Sequence, residues 1–321
     1  MIEHACTRTL PKPWGVEDLR PWSKARNNGS PAIGEIWYER PHNTAVDPSL
    51  LLKLLFTSQP LSIQVHPDDR FAHSMGLPNG KTEAWYVLSA VPDAKVALGL
   101  SRRLTSRQLR EAIDDGSISD LIVWREVSAE DVIFVPAGTI HTIGAGLVIA
   151  ELQQRSDATF RMFDPGRQRE LHIESAIVVA DTGPANFQVN PNQLTAERRL
   201  LVSSPQFMFE RIDLPPNSHW RLDAERETWL LVISGSAFAG SFDVSTGDAL
   251  FAQADPVDIN PGVLGMVGLV AYTGGGPIPQ LLQRLGPLGA IDPGRLQQIR
   301  ALTSPAQATV AQQNGNQETM K

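Results

Sequence analysis

The chain has 321 residues, 42% of them hydrophobic and 20% charged, with a formal net charge of −7. That balance is ordinary for a globular protein and argues against a general nucleic-acid binder or a polybasic membrane surface. No stretch approaches the roughly 18 apolar residues of a membrane span, MIEHACTRTLPKPWG lacks the pattern of a signal peptide, and the lone Cys6 suits a reducing compartment, so a cytoplasmic location is expected.

From residue 33 onward, short strand patterns dominate: IGEIWYE (33–39), LLKLLFTS (51–58), LSIQVH (61–66), EAWYVLSA (83–90), AKVALGL (94–100), DVIFVPA (131–137), LVIAELQQ (147–154) and TFRMFD (159–164). Each is bounded by Pro, Gly, Asn or Asp, the punctuation of an all-β barrel or sandwich. Helices are few. Thr105 with Gln108 makes a capping box for SRQLREAIDD, which Gly116 stops. HIESAIVVAD (172–181) is a second candidate, and Asp292-Pro293 opens a third, GRLQQIRALT, with Pro at the first helical position. After Ser304 the composition turns to Ala, Gln, Asn and Thr, and a disordered tail is expected.

The chain also repeats itself. Glu83-Ala-Trp-Tyr-Val-Leu is similar to Glu227-Thr-Trp-Leu-Leu-Val, and Asp131-Val-Ile-Phe to Asp248-Ala-Leu-Phe. The landmarks are 48 residues apart in the first copy and 21 in the second, a difference matched by a helical insertion over 102–125. A duplicated β-barrel accounts for both.

In LSIQVH, side chains alternate between faces, so Ser62, Gln64 and His66 share one and Ile63 and Val65 the other. Next, GKTEAWYVL puts Lys81 and Glu83 on one face, and VPAGTIH places His141 after a Pro-x-Gly-x-x turn. An amide, two imidazoles and a carboxylate form a borderline N/O set suited to Zn²⁺ or another divalent transition metal. A single strand histidine is more often structural than a ligand; four such residues on separate segments are harder to dismiss.

PxGxxH at 136–141, behind Asp131 and a strand, resembles the second cupin motif. SIQVHPDD, GKTEAWYVL, VPAGTIHTIGAG and ELQQRSDATFRMFD also occur in the order found in type I mannose-6-phosphate isomerases, and KPWG and IGEIWY are similar to that family's N-terminal segments. The likeness covers roughly residues 10–180 and points to the short bacterial branch. It implies an all-β, duplicated cupin (jelly-roll) architecture: a metal-binding domain over 1–185, a degenerate second cupin over 186–303 and a tail over 304–321. It also implies a zinc-dependent aldose–ketose isomerase interconverting mannose 6-phosphate and fructose 6-phosphate through an enediol, with one Zn²⁺ held by Gln64, His66, Glu83 and His141. Arg161, Glu151 and Lys81 are the implied catalytic groups. Ser62, Lys81, Arg161 and Arg167 are the implied substrate contacts, the last a phosphate candidate.

The second copy is an internal control. Ten residues after Asp248 stands Asp258, where ten after Asp131 stands His141; the positions matching Gln64 and His66 are Met208 and Glu210. No second metal is expected. His4, His42, His73, His172 and His219 read as surface or capping residues, and at least two of Trp14, Trp37 and Trp85 as core. Three rivals remain: an isomerase of another sugar phosphate, an Fe(II) cupin oxygenase (weakened by the lack of a plain two-His, one-carboxylate triad) and a non-catalytic sugar-phosphate sensor.

Overall fold

The computed structural model describes residues 1–23, 31–41, 47–186 and 189–287. The expected helix after Asp292, the tail and His42 lie outside the described residues. In chain order the elements are β1 Ile2–His4, β2 Cys6–Val16, β3 Ile33–Glu39, β4 Leu50–Thr57, β5 Ile63–Val65, α1 Asp69–Ser74, β6 Glu83–Ala90, β7 Lys95–Leu100, α2 Ser106–Asp114, α3 Ile118–Leu121, β8 Ile122–Glu126, β9 Val132–Val135, β10 His141–Ile143, β11 Leu147–Gln154, β12 Phe160–Phe163 and α4 Ile173–Val179. The second part carries β13 Asn192–Gln193, β14 Arg198–Ser203, β15 Phe207–Leu214, β16 Ser218–Ala224, β17 Thr228–Ala239, β18 Phe242–Ser245, β19 Ala249–Ala252, β20 Asp255–Thr273 and β21 Leu282–Pro287.

The architecture is mostly β, as expected. A six-stranded sheet, β2-β3-β4-β11-β6-β9, faces a five-stranded sheet, β12-β5-β10-β7-β8, to make the first barrel. A ten-stranded sheet forms the second, with β17, β20 and β15 at its centre. The opening strand β1 pairs with β19, so the chain begins in the second barrel's sheet before entering the first.

Alternation along the strands explains how the layers stack. In β4, LLLKLLFT, every residue is buried. Leu52, Leu54 and Phe56 enter a core shared with Phe207, Phe209, Trp229, Leu231 and Phe251 of the second barrel, while Leu55 enters the first barrel's interior with Trp85, Val96 and Ile149. A strand covered on both faces reads as one apolar run, and its lone lysine is conspicuous for that reason. The outer face of the five-stranded sheet, Ile63, Val65, Phe160 and Met162, is covered by Leu109, Ile113, Ile118 and Ala176 of the helices.

Helix α2 carries the expected capping box, with Thr105 and Gln108 each serving the other's backbone N–H, and ends at Gly116, whose φ of +81° suits glycine. Part of the stretch read as helical insertion is extended instead: β8 pairs with β7, its Val96 partner being Arg125. Helix α1 was not foreseen. Its signal is Asp68, whose side chain accepts from Phe71 N at 2.8 Å as an N-cap.

Candidate active site

The polar face of LSIQVH points into the first barrel. His66 follows β5, His141 opens β10 and Glu83 opens β6, and all three are buried. His66 Nε2 lies 3.4 Å from Glu83 Oε2, and His141 Nε2 lies 3.4 Å from Glu83 Oε1. The opposite ring nitrogens are tied to backbone: His66 Nδ1 to the Ala158 carbonyl at 3.0 Å, His141 Nδ1 to the Thr139 carbonyl at 2.9 Å. Those contacts make each Nδ1 the N–H donor and leave each Nε2 lone pair aimed at the carboxylate, the arrangement by which proteins orient histidine ligands. His66 Nε2 has no hydrogen-bond partner, and the three ligand atoms lie within 4.8 Å of one another. Two neutral imidazoles, one carboxylate and a buried orphan nitrogen fit a divalent ion, so His66, Glu83 and His141 form a group able to hold a metal, and the two-His, one-carboxylate set that sequence reading found lacking is present.

Electrostatics agree with that donor state. Burial, reinforced by Lys81, pushes the His66 imidazole down to about 3 against the pull of Glu83. Burial likewise lowers His141. Burial alone would raise Glu83, but Lys81 and the two histidines outweigh it and hold the carboxyl well below its usual range. Deprotonated ligands are what a metal requires.

Gln64 sits directly across the sheet from His141 on one side and Arg161 on the other. Its Nε2 lies 3.3 Å from His141 Nε2 while Ser62 Oγ donates to its Oε1 at 3.2 Å. Amide nitrogen and oxygen are interchangeable by rotation about χ3. The interchange would turn Oε1 toward the cluster.

Beside the cluster runs a row of opposite charges on the six-stranded sheet. Lys81 Nζ is 3.2 Å from Glu83 Oε2 and 3.8 Å from Glu151 Oε1. Lys53, directly opposite Glu151 in the β4–β11 register, reaches the same Oε1 at 3.3 Å. Farther along, buried Glu35 is paired with Lys12 at 2.9 Å and accepts from Trp37 Nε1 at 2.6 Å. Burial raises the Glu151 carboxyl, and Glu83 and Glu35 add to it, against the opposing pull of Lys53 and Lys81. A carboxyl held above its ordinary range while wedged between lysines can both take and return a proton. Sequence reading missed Lys53 and Glu35; the single lysine in an apolar strand was the available signal.

Arg161 donates from Nη1 to the Glu170 carbonyl at 2.6 Å, and its buried Nε has no acceptor. Burial lowers its proton affinity, as do the neighbouring Arg169 and Arg167. Arg167 is paired with Asp164 at 2.8 Å and donates to the Pro60 carbonyl. Trp14 and Trp85 belong to the barrel's core, as expected of two of the three tryptophans, while Trp37 is half-buried. His172 takes a local part: its Nδ1 accepts from the Arg161 backbone N–H at 3.3 Å. In the second barrel, Met208 is core, Glu210 is paired with Arg198 at 2.8 Å and Asp258 with Arg221 at 2.8 Å.

No family model matches the chain. The mannose-6-phosphate isomerase of Streptococcus mutans is 42% identical over 168 residues, 49% of this chain and 52% of the relative. Mannose-6-phosphate isomerase ManA of Bacillus subtilis is 39% identical over 140 residues, 41% of this chain and 44% of the relative. The chain thus spans about half the length of the curated relatives it matches. Among solved structures, the mannose 6-phosphate isomerase from Bacillus subtilis superposes with a TM-score of 0.74 at 23% identity, covering 84% of this chain and 99% of that one. A variant of the phosphomannose isomerase from Salmonella typhimurium gives 0.68 at 14% identity, covering 85% and 100%. The likeness seen in the motifs is therefore matched by curated relatives of that name, and the cupin fold by solved neighbours.

Proposed function

We propose that this chain is itself a mannose-6-phosphate isomerase, an aldose–ketose isomerase working with one divalent ion, Zn²⁺ by the N/O donor set, in the cytoplasm. The observation that carries the reading is the pair of buried imidazoles converging on Glu83, with Glu151 and two lysines alongside. Gln64, His66, Glu83 and His141 would hold the ion. When bound, it would supply a fixed positive charge that stabilises negative charge on oxygen without reorganisation.

The protein's own groups do the rest. Glu151 removes a proton from C2 of the open-chain aldose and returns it to C1 by way of the enediol, a role worth roughly 10²–10⁴-fold. Lys81 stands between Glu83 and Glu151 and donates toward the sugar oxygens as their charge develops. Ser62 fixes the Gln64 amide beside the substrate, and Arg161 offers a permanently charged fork to substrate oxygens, with Arg167 close by. A permanent cation beside the enediol's oxygens helps only if water is kept out, which the burial of this face supports.

The test is turnover of mannose 6-phosphate in an assay coupled to fructose 6-phosphate formation, on protein stripped by chelator and reloaded with Zn²⁺. Activity returning in step with bound zinc is expected. Fully loaded protein that turns over no mannose 6-phosphate would overturn the reading.

A further inference from the structure

A cleft of about 240 Å³ opens where the two barrels and the segment joining them meet. Tyr86 lines it, and by strand alternation points away from Glu83 and Trp85, so the cleft lies across the six-stranded sheet from the two histidines. The first barrel also contributes Arg125 of β8 and Asp131 ahead of β9; the second contributes Arg199 of β14 and Arg211 of β15. Junctions of this kind are a common place for small-molecule sites.

Arg199 and Arg211 are directly opposite partners in the β14–β15 register, a placement in which like charges repel. Arg211 is fully engaged: Glu130 lies at 2.7 Å and Asp213 at 2.9 Å, and its Nη1 donates to the Tyr86 hydroxyl oxygen at 2.9 Å. Arg199 is not. Among the described residues its guanidinium has neither a hydrogen-bond nor an ion-pair partner. Tyr86 is buried, and the hydrogen of its hydroxyl finds no acceptor among the described residues. Asp131 is half used: Oδ2 accepts from Ser128 N at 2.9 Å, while Oδ1 takes no donor among the described residues. The cleft therefore offers an open guanidinium fork, a buried O–H donor and a carboxylate oxygen. An occupant that satisfies all three brings anionic oxygens and hydroxyl groups together.

We infer that this cleft binds a small phosphorylated polyol. The Arg199 fork takes two phosphate oxygens, the Tyr86 hydroxyl donates to a third, and Asp131 accepts from a hydroxyl of the same molecule. A carboxylate, with two oxygens, would fill the fork and leave Tyr86 unmet. Because the lining comes from both barrels, the occupant ties them together and stabilises the folded chain by mass action.

Calorimetric titration of the zinc-loaded full chain with glycerol 3-phosphate, and with glycerol, tests the site. The wild type should bind glycerol 3-phosphate and not glycerol. Arg199→Ala should weaken that binding by about 10–100-fold, the value of a charge-assisted contact, and Tyr86→Phe by about tenfold or less. Turnover of mannose 6-phosphate should be unchanged in Arg199→Ala, since the cleft is apart from the catalytic barrel's interior. Glycerol 3-phosphate should raise the melting temperature of the wild type and not of Arg199→Ala. Without ligand, Arg199→Ala should melt no lower than the wild type, having lost a repulsive neighbour and no partner. A fall of several degrees would make Arg199 a brace of the fold and overturn the site. So would a wild type that does not bind glycerol 3-phosphate, or equal binding by the wild type and Arg199→Ala, the pattern of entry into the catalytic barrel alone. A protein that binds through Arg199 but turns over no mannose 6-phosphate sinks the isomerase reading and leaves the cleft standing.

Discussion

Glu83 in the first barrel and Glu227 in the second stand at the start of corresponding strands, each two residues ahead of a buried tryptophan whose Nε1 donates to it, at 3.1 and 3.4 Å. The turn that follows is also shared. Asp131 accepts from Ser128 N and Asp248 from Ser245 N, both at 2.9 Å, and each aspartate carbonyl accepts from a valine N–H, Val87 or Val232, again at 2.9 Å. Before each aspartate the backbone is left-handed, at Glu130 (φ 75°) and Gly247 (φ 92°). The frames agree, but the carboxylates have parted. Glu83 faces two imidazoles and a lysine, whereas Glu227 accepts the backbone N–H groups of Ser49 and Leu50 at 2.6 and 2.8 Å. A carboxylate whose oxygens are claimed by backbone donors is a fastener, and one left facing neutral imidazoles is able to serve as a ligand. What lies opposite decides which, not the strand that carries it.

The comparison can be broken most severely at His141. His141→Ala removes a proposed ligand from the first barrel, and metal affinity should fall by about 10²-fold or more, with activity lost alongside. Elemental analysis of the dialysed variant checks this; stoichiometric metal surviving there would remove His141 from the set. Next comes Glu151→Gln, which keeps shape but deletes the proposed base. Turnover should drop roughly 10²-fold or more at little change in KM, with metal retained. Deuterium entering C1 or C2 from heavy water reports the same step, and near wild-type exchange would shift the role to Lys81.

The fastener is expected to behave differently. Glu227→Ala strands two backbone N–H groups and an indole N–H, and should destabilise the fold by about 1–3 kcal/mol in chemical denaturation while leaving metal content intact. Metal loss in that variant would mean the second carboxylate supports the first site directly. The smallest effect belongs to Asp258→Ala, at the place matching His141. Its pair with Arg221 is partly exposed (42% and 30% of the side chains), so a change of about 0–1 kcal/mol and no effect on bound metal are expected.

Much of this was legible because it is local. The inward set Ser62-Gln64-His66 follows from strand alternation, and the Thr105/Gln108 box from a four-residue signature. What sequence hid is long-range. Lys53 could be seen to be odd in its strand, but its pairing with Glu151 depends on the register between β4 and β11, set by nearly one hundred intervening residues. Asp164 is similar: nothing in TFRMFDPGRQR says that one carboxylate will grip both later arginines over a tryptophan far upstream. The departure of β1 to the second barrel and the extended β8 inside an apparently helical stretch are likewise decided by which edge is free to pair, not by composition.

The core between the barrels has a mechanical corollary. Along β4, β11 and β6, the residues that face the second barrel (Leu52 and Leu54, Ala150 and Leu152, Ala84 and Tyr86) alternate with Lys53, Glu151, Glu83 and Trp85. The sheet is a partition wall, with the buried charged row hung on one side and ballast bolted to the other. Loosening the ballast by a large-to-small change such as Trp229→Ala, an event costing about 3–5 kcal/mol in a close-packed interior, would let the wall flex and carry Glu151 out of reach of its lysines. Cut away from its neighbour, the first barrel would turn that leucine-rich plane to water and seek another surface to cover it. The two barrels should accordingly melt as one cooperative unit, sharing the core between them.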